Sequence, residues 1–411
     1  MPATIWQETA APHPGVLVSV IIPAKDEATN LPATLAALAA QTNLAGQPLD
    51  PVTYEILVLA NNCKDRTAAV VRKFAQQHPS LALYVAEVKL PPAEAHVGQA
   101  RRLLMDEACR RLESVAGATG IIASTDADTR VAPTWLAATL MEIQAGADAV
   151  GGRIFPEQTN AQKGPVRRTH LHDAAYRLLR ARLEALLDPE PADPCPRHHQ
   201  HFGASLALTV AAYQQVGGLP VVPFLEDEAL WQALRRHDLR LRHSPAVRVS
   251  TSARYAGRVA VGLSWQLREW ARMTRQQREP LVESGVALAA EWTARRKLRQ
   301  LWAQARQQPR QQWPLCVRLA AVLSVPASPL ARQITSAPTF GLLWEWVLKH
   351  RAVWRRGRVT TLSVAVKELR QLIAQQEQLE AEAASNVPLP STQPLSASQQ
   401  IQAVLRRPMA V

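Results

Sequence analysis

Short apolar runs alternate with helical patterns along the first half of the chain. Residues 17–22, LVSVII, are bounded by Gly15 and Pro23, which is the pattern of a strand buried on both faces. A helical pattern follows over about 30–40. YEILVLA (54–60) predicts a second strand, and a helix over about 67–77 follows, ended by Pro79. LALYVAEV (81–88) predicts a third strand. VGQARRLLMDEACRRL (97–112) carries a strong amphipathic helical period. GIIAST (120–125) predicts a fourth strand. This alternation calls for βαβ units and a parallel sheet covered by helices.

The fourth run ends on two acidic residues, Asp126 and Asp128, in STDADT. In open α/β sheets, ligands bind beyond the C-terminal ends of the strands. Residues two apart in an extended chain point to the same side, so both carboxylates can share a divalent cation. The alternative is a turn in which one aspartate caps a helix starting near Pro133. Further on, HFGASLALTVAAYQQVGGLP (201–220) predicts a loop, a strand, a helix and a Gly-Gly break. Glu226 and Asp227 then open an amphipathic helix, where acidic residues also complement the helix dipole.

The chain has 411 residues, 47% of them hydrophobic, enough for one large domain with additions or for two. No apolar run is long enough to predict a membrane-spanning helix, and the N-terminus does not have the pattern of a signal peptide. Cys63, Cys109, Cys195 and Cys316 lie far apart. That spacing disfavours a disulfide framework or a cysteine zinc site and fits a reducing cytoplasm. Charge divides the chain: residues 253–411 hold 23 Lys and Arg against 9 Asp and Glu, a net of +14, against a whole-chain net of +13. Eight of the eleven tryptophans lie in the same segment. Such a segment suits an anionic membrane surface, nucleic acid or an acidic partner, or is simply a solvated basic face beside core tryptophans. No nucleic-acid-binding motif is present, so no nucleic-acid partner is expected. DPEPADPCPRHHQH punctuates residues 160–200 and predicts a long loop or insertion. The Pro-, Ser- and Gln-rich tail 386–411 predicts disorder, and 362–385 predicts a helix.

The order of these motifs resembles the family 2 glycosyltransferases of the GT-A fold, over roughly residues 17–250. The resemblance rests on VSVIIPAKDEATNL, EILVLANNCKDRTAAVV, VGQARRLLMDEA, STDADT, GASLALTVAAYQQVGG and EDEAL in sequence. It implies a GT-A, Rossmann-like α/β fold: a mixed, mostly parallel sheet flanked by helices, with a mainly helical C-terminal extension. The expected layout is a flexible N-terminus (1–15), the glycosyltransferase domain (16–258), a basic helical region (259–385) and the tail.

By the same resemblance the reaction is inverting transfer from a nucleotide-diphosphate sugar to an acceptor hydroxyl, assisted by Mg2+ or Mn2+. Asp128 would be the main metal ligand, with Asp126 acting on the ribose or on the metal through water. Asp227 would be the catalytic base with Glu226 as its neighbour. Pro23, Ala24, Asp26, Glu27, Asn61, Asn62 and Arg101 would line the nucleotide-sugar site. His201, Gly203, Ala204 and Arg254 would face the acceptor, which Arg254 and its basic surroundings would suit to a phosphorylated or lipid-linked molecule.

Several residues depart from the family pattern. Asn61 and Asn62 stand where an aspartate pair is frequent, which blurs the choice between UDP and GDP. No histidine follows in AVRVSTSARYAGR to act as a further metal ligand. SWQLREW (264–270) lacks the Q-x-x-R-W spacing of processive relatives, so a non-processive enzyme is expected. His198, His199 and His201 lack the partner cysteines of a zinc site. The rival readings are a nucleotidyltransferase, disfavoured by the acidic, glycine-free PAKDEATN loop, and a basic nucleic-acid-binding protein.

Overall fold

The computed structural model describes residues 5–6, 9–157, 164–252, 263–305, 313–351 and 358–385. Its centre is an eight-stranded mixed sheet. In chain order the strands are β1 (Val18–Ala24), β2 (Tyr54–Asn61), β3 (Ala82–Val88), β4 (Ile121–Ser124), β5 (Thr129–Val131), β6 (Ala149–Pro156), β7 (Leu206–Thr209) and β8 (Leu241–Thr251). They lie side by side in the order β3-β2-β1-β4-β7-β6-β8-β5. β3, β2, β1 and β4 are parallel neighbours, as are β6 and β8. β7 runs antiparallel to both of its neighbours, and β5 runs antiparallel to β8. The mixed, mostly parallel sheet and its helical extension agree with the expected architecture.

The apolar runs form strands because side chains alternate between two helix-covered faces. Val18, Val20 and Ile22 of β1 join Ile56 and Val58 of β2 in a core beneath α1 (Leu31–Ala39), α2 (Thr67–Gln77) and α4 (Trp135–Gln144). Ile21, Leu57 and Leu59 point the other way, against α3 (Val97–Val115), α6 (Val210–Gln215) and α7 (Glu226–Arg236). One polar pair crosses this second face. Arg111 of α3 binds both carboxylate oxygens of Glu55 in β2, at 2.6 and 3.0 Å, and Ser19 donates to Glu55 at 2.6 Å. Both charged side chains are almost wholly buried.

Two expectations need correction. The N-terminus is not uniformly loose: Trp6 is buried in the second core, and the Ala10 carbonyl accepts from Arg111 at 2.9 Å. The segment expected as a long loop or insertion over 160–200 holds the 23-residue helix α5 (Pro165–Leu187). The proline punctuation belongs only to the stretch after it.

α5 extends into a helical region with α8 (Leu263–Arg275), α9 (Gly285–Ala305), α10 (Trp313–Leu323), α11 (Ala327–Ser336), α12 (Phe340–His350) and α13 (Leu362–Ser385). β9 (Leu281–Glu283) and β10 (Val359–Thr361) pair antiparallel beside it. Tyr176 and Leu183 of α5 share a core with Trp292, Leu362 and Leu369. Arg295 of α9 binds Asp188 and Glu184 at the end of α5. A second lock holds α12 to the end of α7. Asp238 accepts from the Phe340 and Gly341 amides, each at 2.7 Å, and Thr339 donates to the Arg236 carbonyl at 2.6 Å. Gly341 is needed there, because a Cβ would stand 1.9 Å from the Arg235 carbonyl oxygen. The tail 386–411 lies outside the described residues.

Replacing Glu55 by alanine strands the Arg111 charge in the core. The expected loss is about 3–5 kcal/mol of unfolding free energy, read from urea denaturation of the parent and Glu55→Ala.

Candidate active site

The site gathers at the C-terminal ends of β1, β2 and β4. After β1 the chain turns through Asp26, whose φ is +52°, and after β2 through Asn62, whose φ is +51°. Asp and Asn tolerate this left-handed conformation better than most residues. The two loops are tied together. Asp26 accepts from the Lys64 amide at 2.6 Å, the Ala28 amide donates to Asp65 at 3.0 Å, and the Glu27 amide donates to Thr67 at 2.9 Å. Asp65 also accepts from the Thr67 amide at 2.9 Å, in a local turn just ahead of α2. Among the described residues, Asp26, Cys63 and Asp65 bring three ligand-type atoms within 4.8 Å of one another. Their hydrogen bonds to loop amides account for that convergence.

Asn61 and Asn62 separate in role. The Asn62 amide both donates to and accepts from the Leu90 backbone, at 2.9 and 3.0 Å, so it pins the end of β3 and is not open to a nucleobase. Asn61 is buried, and its Oδ1 has no protein partner. Pro23 and Ala24 form the end of β1 beside it in the sheet.

Asp126 and Asp128 do not lie on extended chain. β4 stops at Ser124, and the Thr129 amide closes a turn onto the Asp126 carbonyl at 3.1 Å before β5 begins. Neither aspartate caps the next helix: α4 begins at Trp135 and has no side-chain cap. The turn is anchored from below. Ser124 donates to the Gly203 carbonyl at 2.9 Å and Thr125 to the Ala204 carbonyl at 3.0 Å.

Arg101 is the hub. It comes from the first turns of α3, is 3% exposed, and reaches Asp126 at 2.7 Å and the buried Glu226 with its other terminal nitrogen. Its guanidinium is therefore engaged with carboxylates. Gly203 makes room for it, because a Cβ there would stand 2.4 Å from the guanidinium carbon. The Gly203 amide in turn donates to Asp227 at 2.8 Å, and Asp227 accepts from the Glu228 amide at 2.8 Å. Asp227 is thus held by two amides at the positive end of α7, with Glu226 and Glu228 in the same first turn.

The local charge is negative. Burial pushes the Asp126 carboxyl above its ordinary value. Arg101 opposes this, while the nearby Asp227 and Glu27 carboxylates push the same way. The Asp126 side chain keeps 37% exposure, so it faces both the protein and the cleft. Arg101 is shared between Asp126 and Glu226, with the Asp227 and Glu27 carboxylates close to Asp126. Such a donor set fits a hard divalent cation.

On the acceptor side, His201 is not an open loop residue. Its Nε2 pairs with Glu228 at 2.6 Å, and its ring stacks on Trp231, centroids 4.6 Å apart and nearly parallel. Its Nδ1 is buried without a protein partner. His198 is buried and bonded to the Ser244 carbonyl at 3.0 Å. His243 pairs with Asp193 at 2.7 Å. The sequence reading missed the His201–Glu228–Trp231 group. Its only local signal was the i, i+3 placement of Trp231 after Glu228 on one helix. Arg254 lies outside the described residues.

Residues 19–197 match the protein-family model described as glycosyl transferase family 2. That segment belongs to the family, and the chain is a glycosyltransferase. No curated protein matches the chain. Solved structures similar to it include a mannosyltransferase, PcManGT, from Pyrobaculum calidifontis in complex with GDP-Man and Mn2+. It is 18% identical, with a TM-score of 0.39, over 93% of this chain and 92% of that one. Residues 1–349 of TarS from S. aureus, in complex with UDP-GlcNAc, are 14% identical, with a TM-score of 0.43, over 84% of this chain and 96% of that one.

The His201 bond, more than any other contact, holds the Glu228 carboxyl down at about 2. A depressed carboxylate adds stability that is complete above its unfolded value of about 4.3 and is lost as pH falls toward 2. In His201→Ala the Glu228 titration, followed by carboxyl-carbon NMR, is expected to move back up toward that unfolded value.

Proposed function

We propose that the protein transfers a sugar from a nucleotide-diphosphate donor to an acceptor hydroxyl with inversion at the anomeric carbon, and releases its product after each transfer. The observation that carries this reading is the placement of Asp227. It is the one first-turn carboxylate of α7 fixed by the Gly203 amide, and it stands within electrostatic reach of Asp126 at the opposite wall. A single carboxylate so held suits direct displacement from one face. The family match supports the reaction class.

In this mechanism the acceptor hydroxyl attacks the anomeric carbon. A new bond forms between acceptor oxygen and that carbon, and the bond from carbon to the diphosphate oxygen breaks. The hydroxyl proton passes to the Asp227 carboxylate, and the electron pair leaves with the nucleoside diphosphate. Asp128 and Asp126 would hold a divalent cation, which when bound offsets the charge developing on the diphosphate. Arg101 bridges Asp126 and Glu226, which would keep the two walls in register through the reaction. Asn61 would be the nucleobase contact at this end, since its buried Oδ1 has no protein partner. Glu27 and Asp26 shape the same end.

Asp227→Asn keeps one oxygen to accept from the loop amides, gives up the second amide contact and removes the base. Single-turnover transfer should fall by about 10²–10⁴-fold while donor affinity stays near the parent value. A transfer rate unchanged in Asp227→Asn would remove Asp227 from this role.

A further inference from the structure

Helix α10 is apolar on every side. Its inner face, Cys316, Leu319, Ala320 and Leu323, is buried in the core shared by α9, α11 and α12. Its outer face consists of Trp313, Pro314, Val317, Arg318, Ala321 and Val322, all exposed. Trp313 and Val322 are each 50% exposed and Val317 is 40% exposed. A surface helix ordinarily turns charged and polar residues outward. Here the outward residues are apolar but for one arginine. Residues 313–336, which also include α11, contain Arg318 and Arg332 and no acidic residue. The segment 253–411 carries a net +14.

We infer that the outer face of α10 seats on an anionic lipid bilayer. An apolar face with a tryptophan at one end and arginine at its edge matches a helix lying in the headgroup region. The net positive charge of residues 253–411, and the absence of any acid from 313–336, favour attraction to anionic lipid. Crossing the bilayer does not fit: no single described helix is long and apolar enough, and α10 and α11 are bent by 112° at their junction. A second copy of the chain fits less well than lipid. Eleven residues of helix span about 16 Å, and such a strip falls well short of the roughly 800 Å² per partner of a stable interface. Two such basic regions would also repel. This inference is independent of the sugar-transfer reading, since bilayer binding is read without donor or acceptor.

The test is co-sedimentation of the full chain with phosphatidylcholine vesicles, with and without phosphatidylglycerol. Val317→Glu places an acid in the middle of the exposed face, where the fold should tolerate it; an unchanged melting temperature confirms that. The parent is expected to bind the anionic vesicles, less so at high salt, and Val317→Glu to bind at least about 10-fold more weakly. Absence of binding by the parent overturns the inference, as does equal binding by the variant. A concentration-dependent parent dimer, abolished in Val317→Glu and without vesicle binding, assigns the face to a second copy and likewise overturns it.

Discussion

The site depends on one buried guanidinium. Asp126 comes from the end of a central strand, and Glu226 from the start of a helix a hundred residues later. Both would repel if brought together alone. Arg101 makes the approach favourable by binding both, and its own burial is tolerable only because both carboxylates meet it. Everything near it is shaped to that contact. Position 203 has no side chain, so the guanidinium fits, and its free amide holds Asp227 in place. The strand carrying Asp126 is clamped to the same stretch through Ser124 and Thr125.

The array remains acidic even with Arg101 in place. Burial raises the Asp126 carboxyl, Arg101 opposes this, and the Asp227 and Glu27 carboxylates push the same way as burial. A structure that served only stability would gain by replacing one of these carboxylates with an apolar group. A structure that receives a cation and a diphosphate gains by keeping them. The helical region adds a separate layer, fastened to the sheet domain through the Asp238 cap of α12 and through α5.

Much of this was legible in local sequence. β1 to β4 and α1 to α3 follow from apolar periodicity, because strands buried on both faces must be continuously apolar. The turn at Asp126 and Asp128 was misread as extended, since a turn between short strands leaves no periodic trace. β5 has three residues, one of them Arg130, too short to show a period. α5 was hidden by the prolines that follow it and by a mixed face that is buried against α9 and α13, far away in sequence. The role of Arg101 was out of reach for the same reason: its partner Glu226 is 125 residues distant. A helix with two adjacent arginines gives no hint of which one turns inward. His201 was expected to face the acceptor, and its pairing with Glu228 depends on how the loop folds over α7.

The central claim is that the carboxylates around Arg101 form a site for a cation and a nucleoside diphosphate. Calorimetric titration of UDP and GDP, each with and without Mn2+, into the parent and into Asp128→Ala tests it most directly. The account predicts that one of the two nucleotides binds, that its binding requires the metal, and that Asp128→Ala abolishes it. Binding of equal strength without metal, or unchanged in Asp128→Ala, would contradict the assignment of these carboxylates.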